Sequence, residues 1–140
     1  MRVVLDTDVI VSGVLSPRGA SRQWLLSALR GDTRILISVP LAFEYEAMLK
    51  RPENLMRARA VVGEIDFLLG NLLFVAELVD IAFLWRPTLS DPGDDMVLEA
   101  AINGRADFLL TFNVRDFAEA AMFGIKVERP GTAWRRKMES

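Results

Sequence analysis

Three short apolar runs, each closed by a polar residue, constrain this chain of 140 residues more than any other feature: Arg2-Val3-Val4-Leu5-Asp6, Arg34-Ile35-Leu36-Ile37-Ser38 and Asp107-Phe108-Leu109-Leu110-Thr111. Runs of that length predict buried strands. Between them the apolar period changes to that of a helix. Trp24, Leu25, Ala28 and Leu29 predict a helix from Ser21 that Gly31-Asp32 closes. Ser38 can cap and Pro40 suits the first turn of a second helix, running to about Lys50 and ended by Arg51-Pro52. Ala58, Val61, Val62, Ile65, Leu68, Leu69 and Leu72 share a broad face of one helix over residues 54–73.

The weaker signals extend the alternation. A short helix capped by Thr7 or Asp8 follows the first run to about Val14, and Val75 to Ile81 forms a short strand. After the turn-rich Pro87 to Gly93, Asp94 or Asp95 caps a helix that ends at Asn103-Gly104. A short helix over Asp116 to Phe123 and a strand over Gly124 to Glu128 complete the set. Strands alternating with helices at this spacing predict an α/β sandwich with a mostly parallel sheet. The chain is long enough to bury a core without disulfides or structural metal. One domain over residues 1–129 is expected, followed by a surface tail over 130–140 in which Trp134 can dock.

Cys and His are both absent. That excludes disulfides, thiolate or imidazole zinc sites, a Cys nucleophile and a Ser-His-Asp relay. Catalysis near neutral pH must therefore rest on carboxylates, Lys, Tyr, hydroxyls, or a hard cation held by carboxylates. The apolar opening carries Asp6 and Asp8 where a signal peptide has its hydrophobic region, and the apolar stretch Phe67 to Trp85 is interrupted by Asn71, Glu77 and Asp80. A cytoplasmic protein without a membrane span is the expectation.

Net charge is only −2, but it is unevenly spread. Residues 18–60 hold eight Lys/Arg against four Asp/Glu, whereas residues 61–99 hold one against eight. A basic face beside an acidic focus suits a metal-dependent enzyme acting on a polyanion. Arg18, Arg22, Lys50, Arg51, Arg57 and Arg59 are the candidates for holding the backbone of such a polyanion.

Ligands of open parallel sheets bind beyond the carboxyl ends of the strands. Asp6 ends the first strand, and Asn113 and Asp116 follow the run that ends at Thr111. Glu44, one or two turns into its helix, and the Asp94-Asp95 pair at a helix start can reach the same rim. Taken singly, each of these is also an ordinary cap, turn or helix-surface residue. Four or five carboxylates in one cleft repel one another, and a divalent cation relieves this. All-oxygen ligands suit Mg²⁺ or Mn²⁺, which lower the pKa of bound water and offset charge on a phosphoryl group.

The joint pattern resembles the PIN-domain nuclease family. Residues 3–13, VVLDTDVIVSG, look like its opening motif; residues 38–46, SVPLAFEYE, are similar to its second. Residues 90–117, SDPGDDMVLEAAINGRADFLLTFNVRDF, look like its third and fourth motifs run together. The resemblance implies a single-domain three-layer α/β/α sandwich. It implies metal ligands at Asp6, Glu44, Asp95 and Asp116, with Thr7, Ser12, Asp94, Thr111 and Asn113 in support. Asp8 departs from the family's commoner Asn, the Asp94-Asp95 doublet admits either residue although spacing to Leu98 and Ala100 favours Asp95, and Asn113 competes with Asp116 for the fourth position. The most similar members are toxin components of prokaryotic toxin–antitoxin pairs. This implies an RNA-cleaving enzyme using Mg²⁺ or Mn²⁺, with RNA as the polyanion that the basic candidates hold, a small antitoxin partner and a homodimer.

Two rivals use the same residues. Asp6-Thr7-Asp8 also fits the nucleophile and acid of a phosphoaspartyl hydrolase, which needs a Lys beside the phosphoryl group, and Lys50, Lys126 and Lys137 are the only lysines. A non-catalytic binding module would keep the fold and lose the chemistry.

Overall fold

The computed structural model describes residues 1–82 and 92–140. Its centre is a five-stranded sheet in the order β3-β2-β1-β4-β5, with β1 at Arg2–Leu5, β2 at Arg34–Ser38, β3 at Glu77–Val79, β4 at Phe108–Leu110 and β5 at Lys126–Glu128. Every pairing is parallel. Val3, Val4, Leu5, Ile35, Leu36, Ile37, Leu109 and Leu110 are all buried, so the central strands are covered on both faces, as uninterrupted apolar runs demand.

Helices α1 (Thr7–Leu15) and α2 (Ala20–Leu29) join β1 to β2, and α3 (Val39–Leu49), α4 (Pro52–Ala58) and α5 (Val62–Val75) lie between β2 and β3. Helix α6 (Pro92–Asn103) precedes β4, a 3-10 helix (Val114–Phe123) joins β4 to β5, and α7 (Pro130–Glu139) follows. The steps β1 to β2 to β3 and β3 to β4 to β5 run in opposite directions across the sheet. Right-handed crossovers then place α1–α5 on one face and α6 with the 3-10 helix on the other, giving the three layers. The direction reverses at β1, between β2 and β4, and the crevice beyond the carboxyl ends of β1 and β4 is the position the topology reserves for a ligand.

Local chemistry fixes several element ends. The Ser38 hydroxyl accepts the Leu41 N–H at 3.2 Å, and Pro40 sits in the first turn of α3, as the sequence predicts. Gly31, at φ +82°, ends α2 in the left-handed region that glycine adopts without strain. The buried Trp24 indole donates to the Pro130 carbonyl at 3.0 Å and meets Trp134 edge-on, with ring centroids 5.0 Å apart. The residues expected as a surface tail are therefore helical, and Trp134 docks on α2.

Other elements differ from expectation. The N-cap position of α1 is Asp6, not Thr7 or Asp8. The single helix expected over 54–73 is two helices, because Arg59 turns left-handed at φ 54° and the Glu64 carboxylate accepts the Val61 N–H at 3.0 Å to restart the chain as α5. Helix α6 begins at Pro92, so Asp94 and Asp95 lie inside its first turn and neither is its cap. The turn expected over Pro87 to Gly93 lies mostly outside the described residues. Among the described residues no helix is long and apolar enough to cross a membrane.

Candidate active site

Beyond the carboxyl ends of β1 and β4 lies a cavity of about 330 Å³ lined by Asp6, Thr7, Asp8, Glu44, Met48, Arg51, Gly93, Asp94, Asn113 and Asp116. Four regions contribute: the β1–α1 junction, α3 from Glu44 to its end with the following Arg51, the first turn of α6, and the segment after β4 with Asn113 and Asp116. Asp6, Glu44, Asp94 and Asp116, from four separate places in the sequence, thus line one cavity.

Asp6 is the most constrained of them. It is 4% exposed, and its backbone N–H donates to the Leu110 carbonyl at 2.9 Å, extending the β1–β4 pairing. The fully buried Thr111 donates its hydroxyl to the Asp6 carboxylate at 2.6 Å, while the same Oγ1 accepts the Asn113 N–H at 2.9 Å. Asn113 in turn donates from its side-chain amide to Asp8 at 3.2 Å. Thr111 stands behind the cavity wall, so its contribution is to orient Asp6. The Tyr45 hydroxyl donates to the Leu5 carbonyl at 2.5 Å, next to Asp6 in the chain. Burial first, and then the Asp6 charge, push its pKa well above the ordinary phenol range, so it remains a donor.

The donor set is all oxygen, the chemistry a hard divalent cation selects. The Thr7 hydroxyl, buried without a hydrogen-bond partner in a residue that lines the cavity, is one more oxygen of that kind. Among the described residues no three acids converge closely enough to enclose an ion as they stand. The fit is therefore one of donor chemistry and location.

The remaining sequence candidates divide. Of the acidic pair on α6, Asp94 lines the cavity, whereas Asp95 is only 6% exposed and does not. Glu99, one turn after Asp95, is also buried, a carboxylate that the sequence pattern gave no reason to single out. Ser12 lies outside the acidic cavity, in an adjoining groove lined by Asp8, Val11, Leu15, Met48, Arg51, Glu53, Asn54, Arg57 and Phe112. Arg51 and Arg57 thus stand beside the acids, and Arg51 belongs to both concavities. The other basic candidates are placed differently. Arg22 donates to the Gly13 and Val14 carbonyls, closing the end of α1. Lys50 is paired with Glu46 at 2.8 Å and Asp66 at 2.6 Å. Arg59 ends α4, and Arg18 is exposed in the α1–α2 loop.

The family model described as PIN domain matches residues 2–115. No curated protein sequence matches the chain. Among solved structures, the chain is similar to one in the crystal structure of VapBC2 from Rickettsia felis bound to a DNA fragment from their promoter. The match is 17% identical and covers 92% of this chain and 98% of that one, with a TM-score of 0.54. At that identity the likeness is one of fold.

Proposed function

Because the chain belongs to the PIN-domain family, we propose that its acidic cavity hydrolyses RNA phosphodiester bonds with Mg²⁺ or Mn²⁺, and that the chain is the toxin of a toxin–antitoxin pair. The observation that carries this is the gathering of Asp6, Glu44, Asp94 and Asp116 around one cavity at the switch point of a parallel sheet, with Arg51 on its wall.

The proposed ligands are Asp6, Glu44, Asp116 and one carboxylate of the Asp94-Asp95 pair, where the cavity wall favours Asp94. A divalent ion held there supplies a bound water of lowered pKa and positive charge opposite the phosphoryl oxygens. The chain's own groups do the rest. Thr111 keeps Asp6 in one orientation, and Asn113 ties Asp8 to the turn after β4. Arg51 can pair with the phosphate that lies against the acids, and Arg57 with a neighbouring one.

The VapBC2 complex shares this fold, which together with the motif resemblance supports a small antitoxin partner and, with it, a cytoplasmic setting. A homodimer is proposed through the apolar groove between α3, α5 and β3, where Phe43 stands exposed. The phosphoaspartyl alternative finds no support: no Lys lines the cavity, and Lys50 is taken up by Glu46 and Asp66. A binding module remains the competing outcome.

The deciding experiment is cleavage of labelled single-stranded RNA with and without Mn²⁺ or Mg²⁺, for the parent and Asp6→Asn. Metal-dependent cleavage lost in the variant is expected. Metal binding by a parent that cuts no RNA would favour the binding module, and undiminished cleavage by Asp6→Asn would refute the site.

A further inference from the structure

We infer that the RNA strand leaves the acidic cavity over Phe112 and that a downstream or upstream backbone phosphate is held by Arg129 and Arg135, a subsite that rests on the ribonuclease reading above. Three concavities run into one another. The acidic cavity and the Arg51/Arg57 groove share Asp8, Met48 and Arg51. That groove shares Ser12 and Phe112 with a third concavity, lined also by Ser21, Arg129, Thr132 and Arg135. Charge changes along this path from carboxylates, through mixed acids and arginines, to a wall with two arginines and no carboxylate.

The third concavity is held by rigid parts. Arg129 donates to the Phe112 carbonyl at 3.0 Å, and its guanidinium lies 5.7 Å from the Phe112 ring centroid, fixing the ridge between the two grooves. Arg135 folds back over the start of α7, its Nη1 3.9 Å from the place a Cβ on Gly131 would occupy. It is exposed and makes no hydrogen bond or ion pair among the described residues, whereas the adjacent Arg136 is committed to Glu128. Helix α7 itself is anchored through Trp24 and Trp134. A guanidinium on an anchored helix, uncommitted and continuous with a phosphodiester-cleaving cavity, matches the repeating phosphates of one strand. The half-buried Phe112 ring between the two arginine-bearing grooves adds a face on which a base can stack. An acidic protein segment would gain from the same arginines but not from the continuity of the concavity with the cleaving cavity, and its binding is one outcome of the test.

The test measures binding to single-stranded RNAs of about four and about twelve nucleotides, spans that fall within one and beyond one groove. Asp6→Asn serves as the uncleaving background. Adding Arg135→Ala should weaken the longer RNA roughly tenfold, the scale of one lost charge-assisted hydrogen bond, and leave the shorter one unchanged. The slope of log affinity against log salt should fall by about 0.7, one phosphate contact on a single strand. Arg135→Lys should recover most of the loss, and the tryptophan emission should be the same in all variants. Equal affinity and slope for the longer RNA with and without Arg135 would overturn the subsite. If the Arg135→Ala protein instead loses only binding of a polyglutamate peptide, the concavity is a protein's and the proposal fails. A parent that cuts RNA while Arg135 is immaterial separates this failure from that of the ribonuclease reading, whereas a parent that neither binds nor cuts RNA overturns both.

Discussion

Asp6 occupies the N-cap position of α1 without a side-chain cap bond, and its carboxylate accepts the Thr111 hydroxyl at 2.6 Å instead. An aspartate at that position ordinarily bonds the N–H groups of the first turn, so here the cap contribution of about 1 kcal/mol is given up to aim the carboxylate at the cavity. Its site is shared with Asp8, Glu44, Asp94 and Asp116, and these like charges repel. Asp6→Asn should therefore raise the metal-free melting temperature or leave it unchanged, while abolishing stabilisation by added Mn²⁺. Calorimetry of both proteins with and without metal checks this, and equal stabilisation by Mn²⁺ would place the ion elsewhere. The α6 pair gives a second prediction. Asp94→Asn should reduce cleavage by at least about a hundredfold, the scale of a lost charged group at a reacting centre. Asp95→Asn should act mainly through stability, because Asp95 is buried off the cavity wall. Comparing single-turnover rates and melting temperatures for the two variants decides between them. The sequence spacing to Leu98 and Ala100 favours the other residue, Asp95; neighbours on a helix point about 100° apart, and the packing of Val97, Leu98 and Ala101 sets the rotation of α6 that turns Asp94 to the cavity.

Helix α6 also shows what a sequence pattern conceals in an element's end. Gly104 was expected as its terminator, but the left-handed residue is Arg105, at φ 52°. The glycine answers to contact: a Cβ there would lie 2.9 Å from the Ala100 carbonyl oxygen, from Leu36 and from Val79, where α6 crosses β2 and β3. Gly104→Ala should destabilise the fold by about 1–3 kcal/mol, the usual scale of overpacking, with a lowered denaturant midpoint and an unchanged slope. At the same end of the sheet, Arg2 of β1, which also donates to the Gly104 carbonyl, holds Glu77 of β3 in two bonds of 2.6 Å, with Arg34 of β2 at 3.5 Å. The Arg2 hydrogen bond chiefly holds the Glu77 pKa below its ordinary 4.5, against a smaller opposing effect of burial. A carboxylate lowered in the folded state stabilises above its unfolded pKa, and this is lost as pH falls through the folded value. Glu77→Gln should therefore flatten the acid limb of a stability–pH curve below about 4.5. The pair is about one-third exposed, so salt should shrink the difference. The strands and most helices were legible because their apolar periods are clean. The break between α4 and α5 was not, since Val61 and Val62 fit the apolar face in a helical projection yet stand exposed, and only the backbone turn at Arg59 separates the two helices.

Across the whole molecule, the uneven charge of the sequence resolves into surfaces with different tasks. Basic residues 51 and 57 flank the acids, whereas Lys50, adjacent in sequence, pairs with Glu46 and Asp66, which line an apolar groove of about 410 Å³. That groove runs between α3, α5 and the edge strand β3 and is lined by Val39, Ala42, Phe43, Leu69, Leu73 and Leu78. Phe43 is 65% exposed, and Phe74 on α5 is 89% exposed. Exposed apolar surface of this kind on a single chain suits an interaction face, and the short edge strand β3 lies beside it. Two copies meeting through a self-complementary contact would cover the face, which is the form the proposed homodimer takes. Light scattering at micromolar concentrations should give twice the chain mass. Phe43→Ser with Phe74→Asp should give a monomer that melts no lower than the parent does on dilution, because both rings are already exposed within one chain and their replacement removes little intrachain packing. Glu44 reaches the acidic cavity from the same helix as Phe43, yet Phe43 is not on that cavity's wall, so metal binding by the monomer should persist. A parent that scatters as a monomer throughout the concentration range would refute the dimer.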